Sequence, residues 1–144
     1  MRNKRHSERG AALIEAALLF PLLLLLCVGT ADFSRLFYTG MEVASAAGAG
    51  VRYGTLRQGN SLDIAGMENA AKNDANISGM TATATRSCQC EDGTSVACTG
   101  SCGSQGLPLI HVKVTTQATF QTLVHYPMVP ASVTVTRTAT MRAR

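Results

Sequence analysis

The chain divides by hydrophobic pattern into unlike zones. Residues 1–10 are polar and basic, whereas residues 11–31, AALIEAALLFPLLLLLCVGTA, are apolar on every side of a helix, with Glu15 and the Cys27 thiol as the only ionisable side chains. At 1.5 Å per residue this run spans roughly 31 Å, the thickness of a bilayer's hydrocarbon core. A buried helix of a soluble protein normally shows one polar stripe, and Leu22 to Leu26 show none, so membrane insertion is the better account. Pro21 removes one backbone donor and favours a kink, which a membrane helix tolerates because neighbouring groups satisfy the freed carbonyl. Between Pro21 and Pro108 there is no further proline. The helix is therefore expected to leave the bilayer and continue over residues 32–58, with Phe33, Leu36, Phe37 and Val43 near one side and Asp32, Arg35 and Glu42 solvated.

Within this continuation Gly40, Ala44 and Gly48 recur at four-residue spacing, which allows another backbone to approach, either a second subunit or the protein's own sheet. Gly59-Asn60-Ser61 is a break. A short second helix is expected over residues 62–76, begun by Ser61 or Asn60 and ended by Asn76 or Gly79. From Met80 the pattern changes period. TATATRS, then Ile110, Val112 and Val114 between polar residues, then Val133 and Val135 among threonines, alternate as half-buried strands do. Pro127 to Pro130 would turn the chain between the last two. The expected fold is α+β: a long spine helix, a short second helix and a small antiparallel sheet covering one side of the spine, with residues 59–144 as the head domain.

Charge settles the topology. Of the net +4 over 144 residues, the first ten carry +3, from Arg2, Lys4, Arg5 and Arg9 against Glu8. A basic cluster before an apolar run, followed by Asp32, Arg35 and Glu42, places residues 1–10 in the cytoplasm and the head outside it. A nucleic-acid binder would concentrate its charge on a folded face, so no nucleic-acid partner is expected.

Glu15 requires a purpose, because a carboxylate near the middle of a membrane helix costs on the order of 2.5–3.5 kcal/mol, and somewhat less near an end, where it can snorkel. A secretory signal cut after Gly29-Thr30-Ala31, or a lipoprotein signal at Cys27 with Leu26 before it, leaves Glu15 unexplained. Basic residues, Gly10 and then an apolar helix with a carboxylate at its fifth position resemble a prepilin. More widely, residues 9–54 resemble the TadE-like family of minor pilins and pseudopilins of tight-adherence secretion systems. The resemblance rests on Arg9-Gly10, Glu15, Pro21 with its leucine run, Asp32-Phe33-Ser34-Arg35 and Val51-Arg52-Tyr53-Gly54, with Ala16 where such pilins commonly carry an aromatic residue. It implies cleavage between Gly10 and Ala11 by a prepilin peptidase, and a role for Glu15 in assembly through the N-terminal amine of a neighbouring subunit. The implied partners are the major pilin, other minor pilins, an inner-membrane assembly platform and, before assembly, membrane lipid. The implied location is the bacterial inner membrane in a single pass with a periplasmic head, and then a surface pilus.

Four cysteines form Cys88-x-Cys90 and Cys98-x-x-x-Cys102, a set that suits either a thiolate zinc site or two disulfides. Outside the cytoplasm disulfides persist, so no metal or cofactor is expected. Glu91-Asp92-Gly93 is a turn signal, and a hairpin centred between the pairs would join Cys90 to Cys98 and Cys88 to Cys102. Cys27 reads as a small buried hydrophobe. Only His111 and His125 lie beyond the leader, and carboxylates are few, so neither a nucleophile with its base nor a carboxylate pair is legible and an enzyme is not expected. The expected function is therefore a structural pilus subunit. The alternatives are an uncleaved membrane-tethered binding domain or a secreted domain released after Ala31.

Overall fold

The computed structural model describes residues 4–124 and 130–143, with the backbone alone at residues 4–9, 11, 58 and 105. His125 and most of the turn expected from Pro127 to Pro130 lie outside the described residues, as do Arg2 and the side chains of the other basic leader residues. Helix α1, Lys4–Leu56, runs without a break through leader, apolar run and continuation, with Pro21 inside it. Its end is built by Asn60, whose Nδ2 donates to the Tyr53 carbonyl at 2.9 Å. A 3-10 turn, Gln58–Leu62, then leads to α2, Ile64–Asp74. Helix α2 starts later than expected. Asn60 is engaged with α1 and Ser61 is buried, so the cap falls to Asp63, which accepts from the Gly66 amide at 2.8 Å.

The remaining strands, β1 (Thr81–Gln89), β2 (Ser95–Val96), β3 (Leu109–Gln121) and β4 (Ser132–Ala143), form one antiparallel sheet in the order β2-β1-β3-β4. The alternation seen in the sequence is the alternation of its faces. Ala82, Ala84 and Cys88 of β1, and Val112, Val114, Ala118 and Phe120 of β3, turn inward. Threonines fill the outer face, where Thr83, Thr115 and Thr138 stand in one row. Thr116 breaks the inward apolar series, and its hydroxyl donates to the Val43 carbonyl of α1 at 2.7 Å, tying sheet to spine. The part of β1 that the short β2 leaves unpaired and the outer strand β4 each carry a side chain bonded to a backbone group, which opposes edge-to-edge pairing. Glu68 of α2 accepts from the Ala84 amide at 3.0 Å, and Arg137 donates to the Thr136 carbonyl at 3.0 Å.

The core lies between the upper half of α1, helix α2 and the inner face of the sheet. With so few aromatic residues available it is built from small and branched side chains around the fully buried Met67. Close approach occurs at Gly50 and Gly54, not at the whole of the expected small-residue series. A methyl group on Gly50 would sit 2.9 Å from the Met67 carbonyl, and one on Gly54 would overlap the Met67 thioether. Of the expected set, Gly40 alone meets the head, beside Arg137; Ala44 is exposed and Gly48 has nothing within 4 Å. The head sits about a quarter turn around the helix from that series, so the chain's own sheet does not use it.

The disulfides are Cys88–Cys98 and Cys90–Cys102, with Cα separations of 5.0 and 5.6 Å, which corrects the expected nested pairing. The turn at Asp92-Gly93 is tighter than that pairing requires. It sets Cys88 opposite Val96 and Gln89 opposite Ser95, and the Cys90 amide donates to the Thr94 carbonyl at 2.9 Å. Cys98 therefore lies diagonal to Cys88, two residues past its partner. A second turn, closed by Gly100 N–H to the Ala97 carbonyl at 2.8 Å, brings Cys102 back toward Cys90. All four sulfurs are consumed, which removes the thiolate zinc set. Cys27 is exposed on the helix rather than buried.

Candidate assembly interface along the long helix

Helix α1 is long and apolar enough to cross a membrane, with a mean hydropathy of 2.5 in its most apolar window and none of that window buried in the fold. Leu13, Ile14, Leu18 and Leu22 to Leu26 all expose at least 49% of their surface. Such residues are stable only against lipid or against another protein. Gly10 is exposed inside the helix with nothing within 4 Å of it, and Glu15 is exposed in the apolar zone one turn further on. Of Ala11, the other half of the expected processing site, the backbone alone is described.

An α-helix turns about 100° per residue, so Glu15, Leu22, Leu26, Phe33, Gly40 and Ala44 share one stripe. The head packs on the neighbouring side through Val43, Ala46, Ala47, Gly50 and Val51, leaving the stripe open from Glu15 to Phe33 and again at Ala44, with Gly40 covered beside Arg137. Near its top the stripe becomes the floor of a groove of about 710 Å³ between α1 and β4, lined by Phe33, Phe37 and Met41 on one wall and by Val133, Val135 and Arg137 on the other. The aromatics of this side face out: Phe33 is 62% and Phe37 60% exposed, and their rings meet edge to face at 4.7 Å.

Asp32, expected to be solvated, is buried. Both its carboxylate oxygens accept from the Leu123 amide at 3.1 Å, just past the end of β3, and Arg35 pairs with it at 3.2 Å. The Arg35 guanidinium lies 5.4 Å from the centre of the Phe120 ring. This junction fastens the foot of the sheet to the helix where the apolar run ends, and so fixes how the head stands on the spine. Higher up, the Tyr38 hydroxyl is bonded to Glu42, which pushes the phenol above its ordinary range. At the α1–α2 junction the Tyr53 hydroxyl donates to Asp63 at 2.8 Å; that bond, with the Gly66 amide, holds the Asp63 carboxyl below the usual carboxylate range.

Sequence reasoning took Asp32 for a solvated residue and did not single out Thr116 or Arg137. A signal existed for one: an acid directly after an apolar run and inside a helix needs a partner, as Glu15 does. Thr116 and Arg137 sit in a threonine-rich strand pattern that gives no reason to single them out. No curated protein and no solved structure matches the chain. Residues 10–52, from the candidate processing glycine along the open stripe to the start of the head's core, match the family of TadE-like proteins, and it is through this helix that the chain is similar to that family.

Proposed function

We propose that the chain is a minor pilin or pseudopilin of a tight-adherence, Flp-type pilus, cleaved between Gly10 and Ala11 and assembled through the open stripe of α1. The observation that carries this reading is the coincidence of the family match with that stripe. The match takes in the apolar residues of α1 that the head leaves exposed, with Glu15 among them, as well as the residues from Val43 to Val51 on which the head packs. Similarity to a structural, pilus-associated family accounts for a molecule that invests its chemistry in packing and disulfides. Before assembly the helix crosses the inner membrane once, with residues 1–10 in the cytoplasm and the head in the periplasm. Its partners on this reading are a prepilin peptidase, the major pilin, sister minor pilins and the inner-membrane platform. Once the leader is removed, the α-amino group of Ala11 is protonated near neutral pH, and Glu15 of an adjoining subunit offers it a counter-charge within a helix bundle.

Mass spectrometry of the mature N-terminus tests the reading. Ala11 is expected. Asp32 would indicate a secreted domain and Met1 or Arg2 an uncleaved tether. Release after Ala31 would sever α1 beside Asp32, whose carboxylate holds the head in place, and this favours retention of the helix. Gly10→Leu should leave unprocessed protein in the membrane, and Glu15→Ala should insert normally but fail to enter fibres.

A further inference from the structure

The groove and the opposite side of α1 carry complementary charges. On the groove side the Arg137 guanidinium lies beside Gly40, 3.5 Å from where a methyl group would stand, and its one hydrogen bond among the described residues is to the neighbouring Thr136 carbonyl. Glu42 stands about 200° around the helix from Gly40 and only ~3 Å higher along the axis. Tyr38 stands one turn below it on α1, and about one turn above it Asp74 accepts from Ser45 at 2.9 Å. Among the described residues Asp32–Arg35 is the one ion pair, so Arg137 faces no carboxylate and Glu42 and Asp74 face no cation. Between these charges lie exposed aromatic residues on both sides, Phe37 in the groove and Tyr38 on the back.

We infer that the groove receives the back of α1 from a second copy of this chain, standing parallel in the membrane with little axial stagger, so that Glu42 of one copy meets Arg137 of the next. This rests on the reading of the chain as an assembling subunit. Charge and height argue for this occupant: an unpaired cation and unpaired acids sit at nearly the same level on opposite sides of one helix, which only a head-to-tail arrangement brings together. Gly40 and Ala44 on the groove floor permit the 8–10 Å helix separation that such packing requires. Because the two surfaces differ, the contact is heterologous and repeats into a ring or a filament instead of closing as a symmetric pair.

The test uses the full chain in its own membrane with Cys27→Ser to remove the free thiol. Two differently tagged copies are produced together, one carrying Phe37→Cys and the other Tyr38→Cys. A mixed disulfide dimer is expected, with little product when either variant is produced alone. Arg137→Glu should lower the mixed product at least tenfold, Glu42→Arg likewise, and the two changes combined should restore it. Dimers from Phe37→Cys alone would overturn the inference in favour of a face-to-face contact. Products formed only with other proteins, or no restoration by the charge swap, would overturn it as well. Intact head disulfides on non-reducing gels show that each variant has folded. The mature N-terminus and piliation are scored in the same cells. Normal processing and fibres without the mixed dimer sink this inference alone, whereas an unprocessed chain that still forms the dimer sinks the pilin reading alone.

Discussion

Replacing Asp32 with Ala should loosen the head from the spine while leaving the helix in the membrane. The carboxylate is 7% exposed and accepts from the Leu123 amide with both oxygens, whereas its ion-pair partner Arg35 is 50% exposed. A hydrogen bond to a buried charge contributes about 1.5–3 kcal/mol, and an ion pair with a half-exposed arginine adds at most about 1 kcal/mol. The loss on Asp32→Ala is then about 2–4 kcal/mol. For a domain of roughly 60–100 residues each kcal/mol moves the midpoint by about 4–8 °C, so a fall on the order of 10–30 °C is expected. Asp32→Asn keeps one acceptor oxygen without the charge and should lose about half as much. Arg35→Ala removes only the exposed pair and the cation–π contact, about 1 kcal/mol together. Thermal melts of the three purified full-length variants in detergent, followed by circular dichroism at a β-sheet wavelength, give the ranking. Hydrogen exchange at the Leu123 amide shows whether the loss is at the junction, and it should speed up most in Asp32→Ala. An Arg35→Ala variant as unstable as Asp32→Ala would refute the reasoning, since the surface pair and not the buried bond would then carry the junction.

Neighbouring glycines should respond in opposite directions: Gly50→Ala drives a methyl group against the Met67 carbonyl and should lower the melting temperature, while Gly48→Ala fills open space and should stabilise the helix by roughly 0.5–1 kcal/mol. Cys98→Ser should free the thiol of Cys88, identifiable by fragmentation of the alkylated peptide; label on Cys90 instead would restore the nested pairing. The loops closed by the two bonds, of 10 and 12 residues, give each bond about 2.7–2.8 kcal/mol on the chain-entropy account, so either loss should be measurable in the same melts. The Asp63 cap should show in the pH dependence of stability. Its folded-state pKa is depressed by Tyr53 and Gly66, so its contribution is present above the ordinary carboxylate pKa and is lost as pH falls through the lower, folded value. The gap in melting temperature between wild type and Asp63→Asn should accordingly be flat near neutrality and close in acid; a gap independent of pH would contradict this.

Much of the architecture was legible because it depends on local properties that sum along the chain. The transfer of the residues around Leu22 to Leu26 into an apolar phase, the period-two pattern of Ile110, Val112 and Val114, and the break at Gly59-Asn60 each act within a few residues of themselves. The resemblance carried by Gly10, Glu15, Pro21 and Asp32 to Arg35 is likewise confined to one helix. Four-residue spacing at Gly40, Ala44 and Gly48 was equally visible, but spacing alone does not say which way a helix faces. The inward direction fell instead to Gly50 and Gly54, because that is where α2 and β3 arrive.

What the sequence determined by itself was therefore the order of elements: basic leader, apolar helix, short helix and alternating strands, because hydrophobicity and backbone preference are written residue by residue. Only the tertiary structure decided the disulfide register, the burial of Asp32 and the open groove beside Arg137. Each of these joins groups far apart in the chain, Asp32 and Leu123 by 91 positions, and the position of a turn or the rotation of a helix decides whether they meet. A shift of one residue in the Asp92-Gly93 turn would exchange the faces of the hairpin, and with them the cysteines that can bond.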